Sequence, residues 1–160
     1  MKNIAIAVAT AQQNVLVVED EYIIRMDAVV MIEEAGYNVV EACNADEAIA
    51  ILETREDIRV VVTDVEMPGS MDGIKLARAI RNRWPPIELI VTSGRYRVRT
   101  DQLPTRAKFM PKPYAPDVLV TAIRHCAPDI FPALPIARGR QNKLRERKKP
   151  GRRRACALTD

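Results

Sequence analysis

Three cysteines, one histidine and no long apolar run set the first limits on this 160-residue chain. Cys43, Cys126 and Cys156 are widely separated and follow no zinc or redox spacing, so they read as reduced thiols of a cytoplasmic protein. His125, the only histidine, falls among apolar residues in a helical stretch and reads as a partly buried helix residue rather than a catalytic base. No segment approaches the ~20 apolar residues that a membrane-crossing helix needs, so no membrane partner is expected.

What is present is unevenly distributed. The formal net charge is +4, yet residues 138–154 carry ten Lys/Arg and a single acid, Glu146. The body that precedes them is therefore acidic, and the basicity belongs to a tail. Apolar residues make up 48% of the chain, enough for one real core.

The body is organised around Asp64. Val60–Val62 and Thr63 form an apolar and β-branched run that ends in Asp64 and is followed by Val65-Glu66-Met67-Pro68-Gly69. Such a run, closed by an acid and then Pro-Gly, predicts a strand buried on both faces that delivers Asp64 to a loop at its C-terminal end. Val15–Val18 predicts a second strand ending in Glu19-Asp20-Glu21. In an open parallel sheet the C-terminal strand ends line one crevice, so these acids converge there and suit a hard cation. Taken alone, Glu19-Asp20 would read as a solvated start to the first helix.

Strand and helix then alternate. Ile24, Ala28, Met31 and Ala35 share one helical face that Gly36 stops. Tyr37–Glu41 is a short strand, and Asn44 with Glu47 predicts a capped helix whose stripe is Ala45, Ala48, Ile49 and Leu52. Asp72-Gly73 starts a third helix, carried by Ile74, Ala77, Ile80 and Trp84 and ended by Pro85-Pro86. Leu89–Thr92 and Lys108–Met110 complete the strands, and a last helix starts near Pro116 with Leu119, Ala122, Ile123 and Cys126 on its apolar face. Trp84, Tyr22 and Tyr37 read as packing residues. This alternation predicts a parallel sheet covered by helices on both sides. Between Gly94 and Lys108 the expected helix is poorly written, being short, rich in arginine and ended by Pro104.

Four motifs carry a resemblance: Val18-Glu19-Asp20-Glu21; Val62-Thr63-Asp64-Val65-Glu66-Met67-Pro68 with Met71-Asp72-Gly73; Val91-Thr92-Ser93-Gly94; and Met110-Pro111-Lys112-Pro113-Tyr114. Together, in this order and spacing, they resemble the receiver domain of bacterial two-component response regulators. The resemblance implies an α/β, flavodoxin-like (βα)5 fold, a doubly wound parallel sheet of strand order 2-1-3-4-5, with the fourth helix short or missing. The resemblance covers a receiver domain over residues 14–127; by composition, residues 1–13 read as a leader or strand extension and 128–160 as a Pro-containing linker and basic, disordered tail. The apolar run Ile4–Ala11 after Lys2 is read as that leader rather than as a signal peptide.

It also implies chemistry. Asp64 would accept a phosphoryl group from a histidine kinase or phosphotransfer protein. A phosphoryl donor brings negative charge to a carboxylate, so the site needs a divalent cation, and carboxylates plus waters favour Mg²⁺. Glu19, Asp20, Asp64 and the backbone carbonyl of Glu66 would hold it. Lys112, next to a cis peptide bond with Pro113 in the family, would reach the phosphoryl group as a point charge. Ser93 would sense it through its hydroxyl, with Thr92 as the alternative. Ser93 is preferred because a small residue, here Gly94, follows the sensing hydroxyl in the family. Phe109 stands where the family carries its switch aromatic; without the resemblance it would read as core. Glu66 and Arg95 occupy positions that tune phosphoryl lifetime, and their charges could pair across the site mouth.

The expected role is therefore a phospho-accepting signalling domain rather than an enzyme, controlling an unknown downstream protein from the cytoplasm. Two alternatives stand beside it: a nucleic-acid-associated regulator acting through the basic tail, which is not favoured, and an interaction module that works without phosphorylation.

Overall fold

The computed structural model describes residues 14–95 and 98–128; the expected leader over 1–13 and the tail beyond residue 128 lie outside the described residues. Five parallel strands form one sheet: β1 (Asn14–Val18), β2 (Asn38–Ala42), β3 (Ile58–Asp64), β4 (Glu88–Ser93) and β5 (Ala107–Pro111), in the order β2-β1-β3-β4-β5. The helices are α1 (Tyr22–Glu34), α2 (Ala45–Thr54), α3 (Gly73–Arg83) and α4 (Pro116–Cys126). This is the doubly wound order expected from the motifs.

The core lies in two layers set by the period-two alternation of strand side chains. Leu16, Val18, Val61, Leu89 and Val91 face α2 and α3, packing against Ala48, Leu52, Leu76 and Ile80. Val15, Val17, Val60, Val62 and Ile90 face α1 and α4, packing against Ala28, Ile32, Leu119 and Ile123. Because both faces are covered, the three central strands read as unbroken apolar runs.

Local signals account for three helix ends. Asn44 Oδ1 accepts the Glu47 amide at 2.8 Å while the Glu47 carboxylate accepts the Cys43 amide at 2.7 Å, a reciprocal cap. Asp72 Oδ1 accepts the Lys75 amide at 2.8 Å and starts α3. Gly36, at φ 91°, turns the chain out of α1 in a conformation that side chains resist.

The sequence-based expectations need correction at three places. On α1 the buried residues are Ala28, Val29 and Ile32, whereas Ile24, Met31 and Ala35 are only half-buried. The β-branched and long residues one step round the helix fill the sheet groove, and the expected stripe becomes the edge of the interface. His125 is exposed, with its ring Nδ1 at 2.9 Å from the Thr121 carbonyl. Tyr22 is exposed too, covered on one side by the Arg25 guanidinium 5.6 Å from its ring centre, while Tyr37 is buried as expected.

No α-helix joins β4 to β5 among the described residues; a single 3-10 turn at Thr100–Gln102 takes its place. Arginines of α3 hold this connection and the one between α3 and β4. Arg78 Nη2 donates to the Gln102 carbonyl at 2.7 Å, and Arg81 donates to the carbonyls of Thr105, Pro85 and Ile87 at 2.9, 2.5 and 2.9 Å. A charged donor to a carbonyl contributes about 1.5–3 kcal/mol. Arg81→Met, which keeps the stem but strands three carbonyls, is therefore expected to lower stability by about 2 kcal/mol in urea unfolding, with an unchanged m-value.

Candidate functional site

The C-terminal ends of β1, β3, β4 and β5 open onto one cleft of about 360 Å³, lined by Asp20, Glu21, Asp64, Glu66, Gly94, Arg95 and Lys112 among others. Topology explains the convergence. β1 and β3 are hydrogen-bonded neighbours with Val18 opposite Thr63, so the residues just after them, Glu19-Asp20 and Asp64, emerge side by side. Asp64 lies opposite Thr92 on β4, and Ser93 lies opposite Pro111 on β5, which brings Lys112 to the same edge.

Carboxylate oxygens of Glu19, Asp20 and Asp64 lie within 4.8 Å of one another. Glu19 and Asp64 are buried and Asp20 half-buried. Lys112 Nζ sits between them, at 2.5 Å from Glu19 Oε2 and 2.9 Å from Asp64 Oδ1. Burial alone would pull the Lys112 pKa down, but its bonds to Glu19 and Asp64 outweigh that and hold the ammonium charged. Burial pushes the Glu19 carboxyl up, with Lys112 working against it. The second Asp64 oxygen accepts the Glu66 amide at 3.1 Å. Three carboxylates against one lysine leave an excess of negative charge in a confined space.

The donor set fits Mg²⁺. It consists of hard oxygens only, too few to fill six positions, so water or a phosphoryl oxygen could complete the shell. Glu66 Oε1 is a buried oxygen without a hydrogen-bond partner, which adds to the excess of unneutralised acceptors. Glu66 and Arg95 both line the cleft, but no ion pair joins them. Arg95 is exposed.

The two hydroxyl candidates differ in their partners. Thr92 Oγ1 donates to the Thr63 carbonyl at 3.3 Å, inside the sheet, whereas Ser93 Oγ accepts the Arg95 amide at 3.3 Å, at the loop that borders the cleft. Phe109 on β5 is half-buried and packs against the core layer of α2 and α3. The Lys112–Pro113 peptide bond is cis, as the motif implied.

Two further residues shape the site and were not singled out as such from the sequence. Gly73, read only as part of a helix start, lies against the backbone of Asp64. Arg25 reaches from α1 to the Glu19 carbonyl. A glycine after a helix-capping acid and an arginine six residues after Glu19 are common patterns, so neither carries a distinguishing signal.

Comparison with known proteins places this geometry in a family. The profile of the response regulator receiver domain matches residues 15–124. The sensor kinase CckA of Brucella abortus (strain 2308) is 40% identical over 114 residues, which cover 69% of this chain and 12% of that protein. The transcriptional regulatory protein PdtaR of Mycobacterium tuberculosis (strain CDC 1551 / Oshkosh) is 34% identical over 118 residues, covering 72% of this chain and 57% of PdtaR. The chain thus spans 12% and 57% of the length of these two relatives, under two thirds of each. Among solved structures, the receiver domain of the hybrid histidine kinase CckA superposes with a TM-score of 0.60 at 28% identity, covering 74% of this chain and 99% of that domain. A two-component response regulator/GGDEF domain protein superposes with a TM-score of 0.66 at 29% identity, over 76% of this chain and 51% of the other. With the family profile covering all but the first residue of the sheet and the last two of α4, the chain belongs to the response regulator receiver domains, the signalling domains of bacterial two-component systems.

Proposed function

We propose that Asp64 accepts a phosphoryl group from a histidine kinase or phosphotransfer protein, with Mg²⁺ held by Glu19, Asp20, Asp64 and the Glu66 carbonyl. The observation that carries this reading is the Asp64 carboxylate itself. It is buried at the end of the central strand, 2.9 Å from a charged lysine and clustered with two further acids. A structural acid needs one cation; this one shares its lysine and sits in an open cleft.

Bound Mg²⁺ would supply charge neutralisation for an anionic donor approaching an anionic nucleophile. The protein's own residues do the rest. A carboxylate oxygen of Asp64 attacks phosphorus, the new O–P bond forms as the donor's P–N bond breaks, and the leaving imidazole keeps the electron pair and takes a proton. The Glu66 amide, already on Asp64, orients the carboxylate. Lys112 can give up a carboxylate contact for a phosphoryl oxygen, and the Ser93 hydroxyl can turn from the Arg95 amide toward it. The added charge, roughly −1.5 to −2, would bias a two-state loop arrangement that Phe109 follows and a downstream protein reads. Transfer and later hydrolysis of the phosphoryl group would be catalysed by the domain on itself. No helix among the described residues is long and apolar enough to cross a membrane, and we place the domain in the cytoplasm with its kinase partner.

Intact mass after incubation with acetyl phosphate tests this reading. One phosphoryl adduct is expected with Mg²⁺ and none with chelator; a folded protein that gains no adduct under either condition would overturn it. Mg²⁺ alone should also raise the melting temperature, since a ligand at 100 times its Kd adds about 2.7 kcal/mol to a folded state that alone binds it.

A further inference from the structure

We infer that Arg25 is a positioning residue for the carboxylates that would hold the divalent cation, an inference that rests on the cation-site reading of Glu19, Asp20 and Asp64. Arg25 lies in the first turns of α1, with its side chain only 14% exposed. Its Nη1 donates to the backbone carbonyl of Glu19 at 2.6 Å, and its Nε donates to Glu41 Oε2 on β2 at 3.2 Å. Glu19 comes after the last residue of β1 and before the first turn of α1, so its carbonyl falls between the sheet ladder and the helix. The Glu19 amide donates to the Ala42 carbonyl at 3.1 Å. Arg25 completes the grip from the other side, and the peptide joining Glu19 to Asp20 is tied to both α1 and β2.

That peptide sets the directions of two carboxylates at once. Glu41 lies opposite Val17 in the strand register, so it fixes the guanidinium beside β1 rather than leaving it to follow solvent. The planar fork of arginine suits this double contact, and a lysine ammonium could not reproduce its shape.

Arg25 could influence a cation in two ways of opposite sign. As a charge it repels a divalent cation, and its removal should tighten binding. As the support of the Glu19–Asp20 turn it lowers the cost of ordering the ligands, and its removal should loosen binding. Residues that orient metal ligands typically contribute 10–100-fold in affinity. The Glu41 carboxylate, 3.2 Å from Arg25 Nε, offsets most of that opposing charge, so the structure assigns the second role.

Calorimetric titration with MgCl₂ of the full chain tests the sign. Arg25→Met is expected to weaken Mg²⁺ binding about tenfold; Arg25→Lys, which keeps the charge but not the fork, should weaken it by roughly threefold. Melting in chelator reports whether each variant is folded. Phosphoryl uptake from acetyl phosphate should need more Mg²⁺ for half-maximal rate yet reach a near wild-type rate at saturation, a split that general loss of structure would not give. Unchanged or tighter Mg²⁺ binding in folded Arg25→Met overturns the inference. Should Arg25→Met not fold, Arg25→Lys decides: unchanged affinity there shows that only the charge mattered and overturns it equally. A wild type that takes up no Mg²⁺ is a different result, and it removes the cation-site reading itself.

Discussion

Asp64→Asn is expected to abolish the phosphoryl adduct completely while yielding a folded protein that melts higher than the wild type in chelator. The loss follows from chemistry, since a neutral carboxamide is no nucleophile toward phosphorus. The gain follows from the electrostatics of the cluster. At an effective dielectric constant of ~20, two repulsions across at most 4.8 Å amount to at least about 3.5 kcal/mol each. The single attraction to Lys112 at 2.9 Å amounts to roughly 6 kcal/mol on the same scale, so the pairwise effects nearly cancel. What remains is the desolvation of a buried carboxylate, which a neutral amide largely avoids. Lys112 keeps Glu19 at 2.5 Å and is not left unpaired, and the Asn oxygen can still accept the Glu66 amide. A net stabilisation of about 1–2 kcal/mol is expected. The rise in melting temperature caused by Mg²⁺ should shrink in the same variant. An adduct on Asp64→Asn would mean that another residue accepts the phosphoryl group. A lower melting temperature would mean that the Lys112 pair outweighs the repulsion.

Gly73→Ala is expected to be the most destabilising single-methyl change among the described glycines. A Cβ at Gly73 would stand 1.8 Å from the Asp64 carbonyl oxygen, 2.7 Å from its carbon and 3.0 Å from Val65 Cα. All three are backbone atoms, so no side chain can swing aside. The Gly73 amide also donates to the Val65 carbonyl at 3.0 Å, which fastens the start of α3 directly to the end of β3. Its φ is not in the left-handed region, and the need for glycine here is one of space alone. Overpacking in a tight core costs about 1–3 kcal/mol, and a contact this short against fixed backbone should exceed that, at about 3–5 kcal/mol in urea unfolding. The residue that must move is Asp64, so the folded fraction should also take up phosphoryl groups more slowly. Gly94→Ala is the control. Its Cβ would meet only Lys112 Cβ, at 3.9 Å, an ordinary contact, and its stability should change by less than about 0.5 kcal/mol. A mild Gly73→Ala would show that the β3–α3 junction yields more easily than its hydrogen bonding suggests.

The features that short stretches encode were legible in the sequence. Unbroken apolar runs marked the three central strands because both faces of the sheet are covered. Asn44, Asp72 and Gly36 marked helix ends because capping and positive φ depend on one or two residues. That the fourth helix would be short or missing was also visible, since an arginine-rich stretch ended by Pro104 offers no apolar face to bury, and among the described residues only a 3-10 turn stands there. Burial around α1 was harder to place. Its apolar residues wrap more than one face, and only the groove between sheet and α4 selects Ala28, Val29 and Ile32. His125 stood among apolar neighbours in the sequence, yet α4 turns it to solvent.

By itself the sequence determined the order of elements, the acids at the strand ends and the family, because each rests on local periodicity or on a motif of a few adjacent residues. Only the tertiary structure decided which groups meet. Lys112 binds Glu19 across 93 positions of chain, Thr92 spends its hydroxyl on Thr63, and Arg25 holds the Glu19 carbonyl between α1 and β2. Gly73 owes its identity to a backbone that passes against it from another element. Such contacts depend on the register of parallel strands and the packing of helices over them, and these are fixed by the whole chain rather than by any window of it.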